Sequence, residues 1–217
     1  MSRIEVGGAE LQLLADKAAW WPDERTLLIA DAHLGKAVSF RRLGVPVPEA
    51  TTAGNLAALD ALLAAHDTRR IVFLGDLLHS RHAHAPATLA AFAAWRERRP
   101  QLELLLVRGN HDDQAGDPPP NWGVHCVDEP HVLPAAPRLA LCHHPRPQPG
   151  GGVLAGHLHP CISIGRGIDR LRLPCFHVGA GVVVLPAFGA FTGMHPIERV
   201  PGDRVFLVAD NGVHELP

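Results

Sequence analysis

Before residue 124 the apolar residues alternate between short unbroken runs and longer helical rhythms. Thr26 to Ala30, Ile71 to Leu74 and Leu102 to Val107 are runs of strand length, consistent with burial on both faces. Glu49 to His66 predicts a helix, with Leu56, Leu59, Leu62 and Leu63 at i, i+3, i+6 and i+7 and alanine filling the turns. It starts after Gly44-Val45-Pro46-Val47-Pro48, because the prolines block helical continuation. Ala87 to Arg98 predicts a second helix, with Arg96, Arg98 and Arg99 near its negative end and Pro100 as its stop. Ile4 to Val6 and Leu11 to Leu13 flank Gly7-Gly8-Ala9 as a hairpin, and Trp20-Trp21-Pro22 reads as a packed loop.

The first half therefore reads β-α-β-α-β, a sheet with parallel connections and helices on its faces. From Val124 onward the pattern changes to short strands separated by Gly and Pro, with no helix. They are Leu139 to Cys142, Val153 to Ala155, Leu171 to Leu173, Val182 to Leu185 and Val205 to Val208. A second sheet follows from them, and the predicted class is α/β: two mixed sheets packed as a sandwich flanked by helices. Asp117 to Pro120 and Pro145 to Gly152 read as loops inside one domain spanning 1–217. Leu173 to Ile197 lacks charge, yet its three prolines and four glycines are incompatible with the roughly 20 helical residues of a membrane span.

Composition narrows the function. Hydrophobic content of 47% and charged content of 19% exclude disorder, and a net charge of -2 excludes a global basic field for nucleic acid. The 18 arginines against 2 lysines suit bidentate phosphate recognition, but a GC-rich genome gives the same skew and is the preferred reading. Cys126, Cys142, Cys161 and Cys175 form no C-x-x-C pair, and Met1 to Glu10 has no apolar h-region, so four buried thiols in a reducing cytoplasm are expected. Fifteen histidines point to metal, although His66, His82, His84, His125, His131, His177, His195 and His214 lack ligand-like spacing.

The remaining histidines sit with Asp and Asn at five strand tips: Asp31-x-His33, Gly75-Asp76-x-x-His79, Gly109-Asn110-His111-Asp112, His143-His144 and Gly156-His157-x-His159. Alone, each is a turn sequence; together, at strand C-termini, they build a ligand crevice. Asp31 and His33, like His157 and His159, point the same way if the chain is extended at i, i+2. Oxygen and imidazole donors without thiolate suit Mn, Fe, Zn or Co better than Ca. Two ions about 3.5–4 Å apart require a bridging carboxylate, for which Asp76 is the candidate.

These blocks, in this order, resemble the D-x-H, G-D-x-x-[DH], G-N-H-[DE], H and G-H-x-H motifs of the calcineurin-like metallophosphoesterase superfamily. Leu34 to Ala37, Phe40 to Pro48, Gly75 to Ser80 and Leu185 to Gly193 are similar to its bacterial DNA-ligase-associated metallophosphoesterase (PdeM) branch. The resemblance implies a manganese-dependent phosphodiesterase acting as a DNA endonuclease, associated with a DNA ligase, an exonuclease and a helicase. It implies that Asp31, His33 and His159 hold one of two divalent metal ions and Asn110, His143 and His157 the other, bridged by Asp76. His111 would be the general acid, with Asp112 orienting it and favouring its protonated form; Asp112 and the substrate-binding candidate His79 have bracing a loop as their alternative role.

The pattern is departed from at His79, where the wider superfamily has Asp, and at His143-His144, where His-Gly is more familiar. Strand register assigns His143 as the ligand; His144 either replaces it or reaches substrate. Lys36, Arg41 and Arg42 contact flanking phosphates or form a solvated loop. Phe188 and Phe191 stack bases or plug the core. Arg166, Arg170 and Arg172 track a backbone or line a solvated strand face. The expected function is endonucleolytic cleavage of DNA with single-stranded character. The rivals are hydrolysis of nucleotides or other small phosphate esters, and a non-catalytic scaffold on the same fold.

Overall fold

The computed structural model describes residues 2–42, 44–45, 47, 51–136, 138–165 and 170–217. The expected helix start at Glu49, and Arg166, lie outside them. The first sheet contains β1 (Ser2–Val6), β2 (Ala9–Leu13), β3 (Ala18–Trp21), β4 (Thr26–Ile29), β5 (Arg70–Leu74), β6 (Glu103–Val107) and β7 (Val124–Val127), side by side in chain order. β1 to β4 form an antiparallel meander, whereas β4 to β7 pair in parallel. Parallel neighbours need crossovers, which α1 (Lys36–Arg42), α2 (Thr51–Ala65), α3 (Pro86–Glu97) and α4 (Asn110–Ala115) occupy.

The second sheet is built from β8 (His131–Val132), β9 (Leu139–Leu141), β10 (Gly152–Ala155), β11 (Pro160–Ile164), β12 (Leu171–Gly179), β13 (Val182–Val184), β14 (His195–Pro196), β15 (Arg204–Ala209) and β16 (Gly212–Glu215). It runs β14-β11-β12-β13-β10-β9-β8, with β15 joining β12 to β16.

Side-chain alternation makes the layers. Leu28, Val72 and Leu105 meet Leu154, Phe176, Val183 and Phe206 between the sheets. On the other face, Leu27, Ile29, Ile71, Phe73, Leu104 and Leu106 join Leu56, Leu59 and Leu62 of α2 and Phe92 and Trp95 of α3. Each such side chain, fully buried, contributes about 1.5–3 kcal/mol.

Several local readings are corrected. Trp20 and Trp21 are strand residues, because β3 pairs with β4 and both indoles are buried there. Lys36 to Arg42 is a helical turn and not a solvated loop, and Asn110 to Ala115 is also helical. Cys126 is only partly buried, although all four thiols are free. No helix among the described residues is long and apolar enough to cross a membrane.

Candidate metal centre

Five strands of the two sheets end at one edge of the sandwich, and the five polar tips follow them. Asp31 comes just after β4, Asp76 after β5, Asn110 after β6, His143 after β9 and His157 after β10. The backbone there is not extended. Asp31, His33, Asp76, His157 and His159 all have left-handed φ, from 46° to 71°. The paired residues converge through these turns, which corrects the extended-chain reading. The geometry costs free energy at non-glycine positions and persists because neighbouring hydrogen bonds fix it. His33 N donates to Asp76 O at 2.9 Å, and His157 N to Asp31 Oδ2 at 2.9 Å.

Asp76 lies between two groups of donors. Its Oδ2 is 3.8 Å from His33 Nε2, and its Oδ1 is 3.4 Å from His143 Nε2. On the first side, His159 Nε2 stands 3.3 Å from His33 Nε2 and 3.6 Å from Asp31 Oδ1. On the second, His143 Nε2 stands 3.0 Å from both Asn110 Oδ1 and His157 Nδ1. Glycine makes this closeness possible: a Cβ on Gly109 would lie 2.4 Å from Asp76 Oδ1, and one on Gly75 2.1 Å from the His143 ring.

The donor chemistry fits cations. His143 Nδ1 donates to Leu74 O at 3.1 Å and His159 Nδ1 to Gly193 O at 3.0 Å, so a neutral ring turns its Nε2 lone pair inward in each case. Those lone pairs converge on carboxylate, amide and imidazole acceptors. Asp31 Oδ1 and His33 Nδ1 are buried without any hydrogen-bond partner, an arrangement that a bound cation relieves at the carboxylate. Burial holds His33 and His157 below the usual imidazole range, and it pushes His79, with Lys36 and His111 nearby, down to about 4. Neutral imidazoles are what a metal requires. Burial, with Asp31 close by, raises Asp76 above the usual carboxylate range, and an adjacent cation reverses that.

The other candidates are placed unevenly. His111 is one-third exposed; its Nδ1 donates to the His79 carbonyl at 2.6 Å, and its Nε2 is 3.9 Å from Asp76 Oδ2. Its ring stacks on that of His79 at 4.9 Å. Asp112 does not touch the His111 ring. Its carboxylate accepts from Leu78 N and Gly109 N, both at 3.0 Å, and so braces the turn that starts α4. The orienting role expected of it belongs to the His79 carbonyl. His144 Nδ1 is held by Glu129 Oε1 at 2.6 Å. Arg41 is occupied with Val47 O at 3.3 Å, and Arg42 is exposed at the end of α1. Phe188 is only 4% exposed and sits in the core behind the first sheet, which removes it as a stacking surface; Phe191 is 41% exposed. Arg172 lies in β12 with an exposed side chain, and Arg170 just before it is exposed too.

Three supporting residues carried no sequence signal. Glu129 accepts from the backbone N–H of both His143 and His144 at 2.8 Å. Asn55 donates to Ala32 O at 2.9 Å and accepts from Ala190 N at 3.0 Å. Lys17 Nζ donates to Phe188 O at 2.7 Å. All act across long sequence separations, so no local motif betrays them.

Asp, Asn and His donors at the strand tips of a two-sheet sandwich define a metal-dependent phosphoesterase. The chain belongs to the calcineurin-like phosphoesterase family, whose model matches residues 24–161, as the motif resemblance implied. It is similar over its whole length to the nuclease MPE of Pseudomonas putida, with 46% identity, 99% of each chain covered and a TM-score of 0.86. A phosphoesterase from E. coli, Yfce, aligns at 16% identity over 88% of this chain and 97% of that one, with a TM-score of 0.40. The chain matches no curated protein sequence.

Proposed function

We propose that this phosphoesterase is a dinuclear-metal phosphodiesterase that cuts DNA endonucleolytically, favouring DNA with single-stranded character, in DNA repair. The observation that carries it is the convergence of imidazole and amide donors on both sides of the Asp76 carboxylate. Its similarity to a bacterial nuclease supports the choice of a nucleic-acid substrate. Asp31, His33 and His159 would hold one cation and Asn110, His143 and His157 the other, with Asp76 shared. Manganese is the ion we favour; iron, zinc and cobalt suit the same donors. When bound, such a pair supplies Lewis-acid polarisation of a phosphate ester and acidifies water.

The chain's own groups do the rest. Asn110 contributes a neutral oxygen, which limits the negative charge facing an anionic diester. The His79 carbonyl accepts a hydrogen bond from Nδ1–H of His111, which leaves Nε2 on the side of Asp76 and the cleft. Nε2 is then placed to protonate the leaving alkoxide, which departs poorly without a proton. Lys36 adds positive charge beside Asp31 and Asp76.

We take the chain as one domain, 1–217, a reading supported by the core that residues of both sheets share. The free thiols agree with a cytoplasmic setting, and functional association with a DNA ligase, exonuclease and helicase completes the proposal. Purified protein with Mn²⁺ is expected to nick circular single-stranded DNA. Cleavage of an aryl phosphodiester with the circle left intact would instead establish the small-ester reading.

A further inference from the structure

The loop from Ala187 to His195 is fastened to the metal centre at many points. Phe188 N and Gly189 N donate to Ala30 O and Asp31 O, at 2.8 and 3.1 Å. Ala190 N is held by Asn55, and the Phe188 carbonyl by Lys17. Gly193 O accepts from the His159 ring, while His195 N donates to His159 O at 2.9 Å. A loop so tied has lost most of its freedom, yet it leaves Phe191 and Met194 in solvent, 41% and 40% exposed. Leu158, between the two histidines of the last motif, is 39% exposed.

Phe191 is also the outer end of an aromatic wall. Its ring meets Phe40 edge-on, at 5.8 Å and 84°. Phe40 lies 6.2 Å from His79, and His79 stacks on His111. Lys36 Nζ is 6.0 Å from the Phe40 ring centroid, and Lys36 and Phe191 line one cleft with His33 and Gly189. The wall thus runs from the rim to the group placed to protonate the leaving oxygen, with a cation alongside.

We propose that Phe191, backed by Phe40, is a stacking shelf for an unpaired nucleobase adjacent to the scissile phosphate. The occupant is single-stranded nucleic acid, because a ring held edge-on by its neighbour keeps a face for a base, and a base inside a duplex has both faces covered by its stacked neighbours. Lys36 meets the backbone phosphate on the same side. The inference rests on the phosphodiesterase reading above and deepens it.

Base–aromatic stacking is worth about 1–3 kcal/mol, which corresponds to roughly 5- to 150-fold in affinity. Phe191→Ala is expected to raise KM for a single-stranded oligonucleotide about tenfold with kcat nearly unchanged, and Phe191→Trp to restore it. Wild type should prefer that strand to one whose central residues are abasic, and Phe191→Ala should lose the preference. Quenching of 2-aminopurine in a cleavage-resistant phosphorothioate strand should likewise disappear in Phe191→Ala. Equal KM values for wild type and Phe191→Ala, or full restoration by Phe191→Leu, would overturn the shelf while leaving DNA cleavage standing. A wild-type protein that hydrolyses an aryl diester and nicks no single strand would overturn the reading beneath it.

Discussion

His111 Nδ1 lies 2.6 Å from the carbonyl oxygen of His79, so a backbone group, and not the expected carboxylate, sets the orientation of this imidazole. His111→Ala should therefore keep both cations, since no ligand candidate depends on its ring. It should lose about 10²- to 10⁴-fold in diester turnover, the usual worth of a positioned acid. Elemental analysis beside turnover at neutral pH checks this, and unchanged turnover would remove the acid role.

Gly109 faces Asp76, the carboxylate proposed to be shared. In Gly109→Ala the new Cβ would fall 2.4 Å from Asp76 Oδ1 and 2.9 Å from the His143 ring, forcing both donors aside. Cation binding is expected to weaken at both positions while circular dichroism shows the fold retained. Tight two-ion binding by this variant would mean that Asp76 is not shared.

Phe188 and Phe191 look alike in sequence but differ in burial. Phe188→Ala empties core volume and should cost about 3–5 kcal/mol, whereas Phe191→Ala should stay within about 0.5 kcal/mol. Urea denaturation of the two variants separates a plug from a shelf.

Lys17 gives a pH signature through a group that is not itself a ligand candidate. Burial pushes its ammonium down to about 8 from the usual value of 10.5. The unfolded chain thus holds the proton more tightly between those two values, and stability rises with pH across that window. Relative to Lys17→Met, wild type should gain on the order of 2–3 kcal/mol between pH 8 and 10.5, read by denaturant titration. A constant gap would show that the amine is not desolvated.

The layers were legible because burial on two faces leaves continuous apolar runs, as in β4 and β5, and burial on one face leaves a leucine stripe, as in α2. The five tips were legible because metal-binding chemistry demands particular donors at strand ends. β7 and β8 were not, since Val124 to Val127 and His131-Val132 mix polar residues into strands that tertiary neighbours stabilise.

The sequence by itself determined which donors exist, Asp31, His33, Asp76, Asn110, His143, His157 and His159, and the order in which the strands deliver them. Only the tertiary structure decided that left-handed turns bring them together and that Asp112 braces backbone while His79 orients His111. It also decided that Glu129, Asn55 and Lys17 hold the site, and that one phenylalanine of two faces water. Most of those outcomes depend on atoms meeting between separate segments of the chain, a distance over which no local spacing carries information.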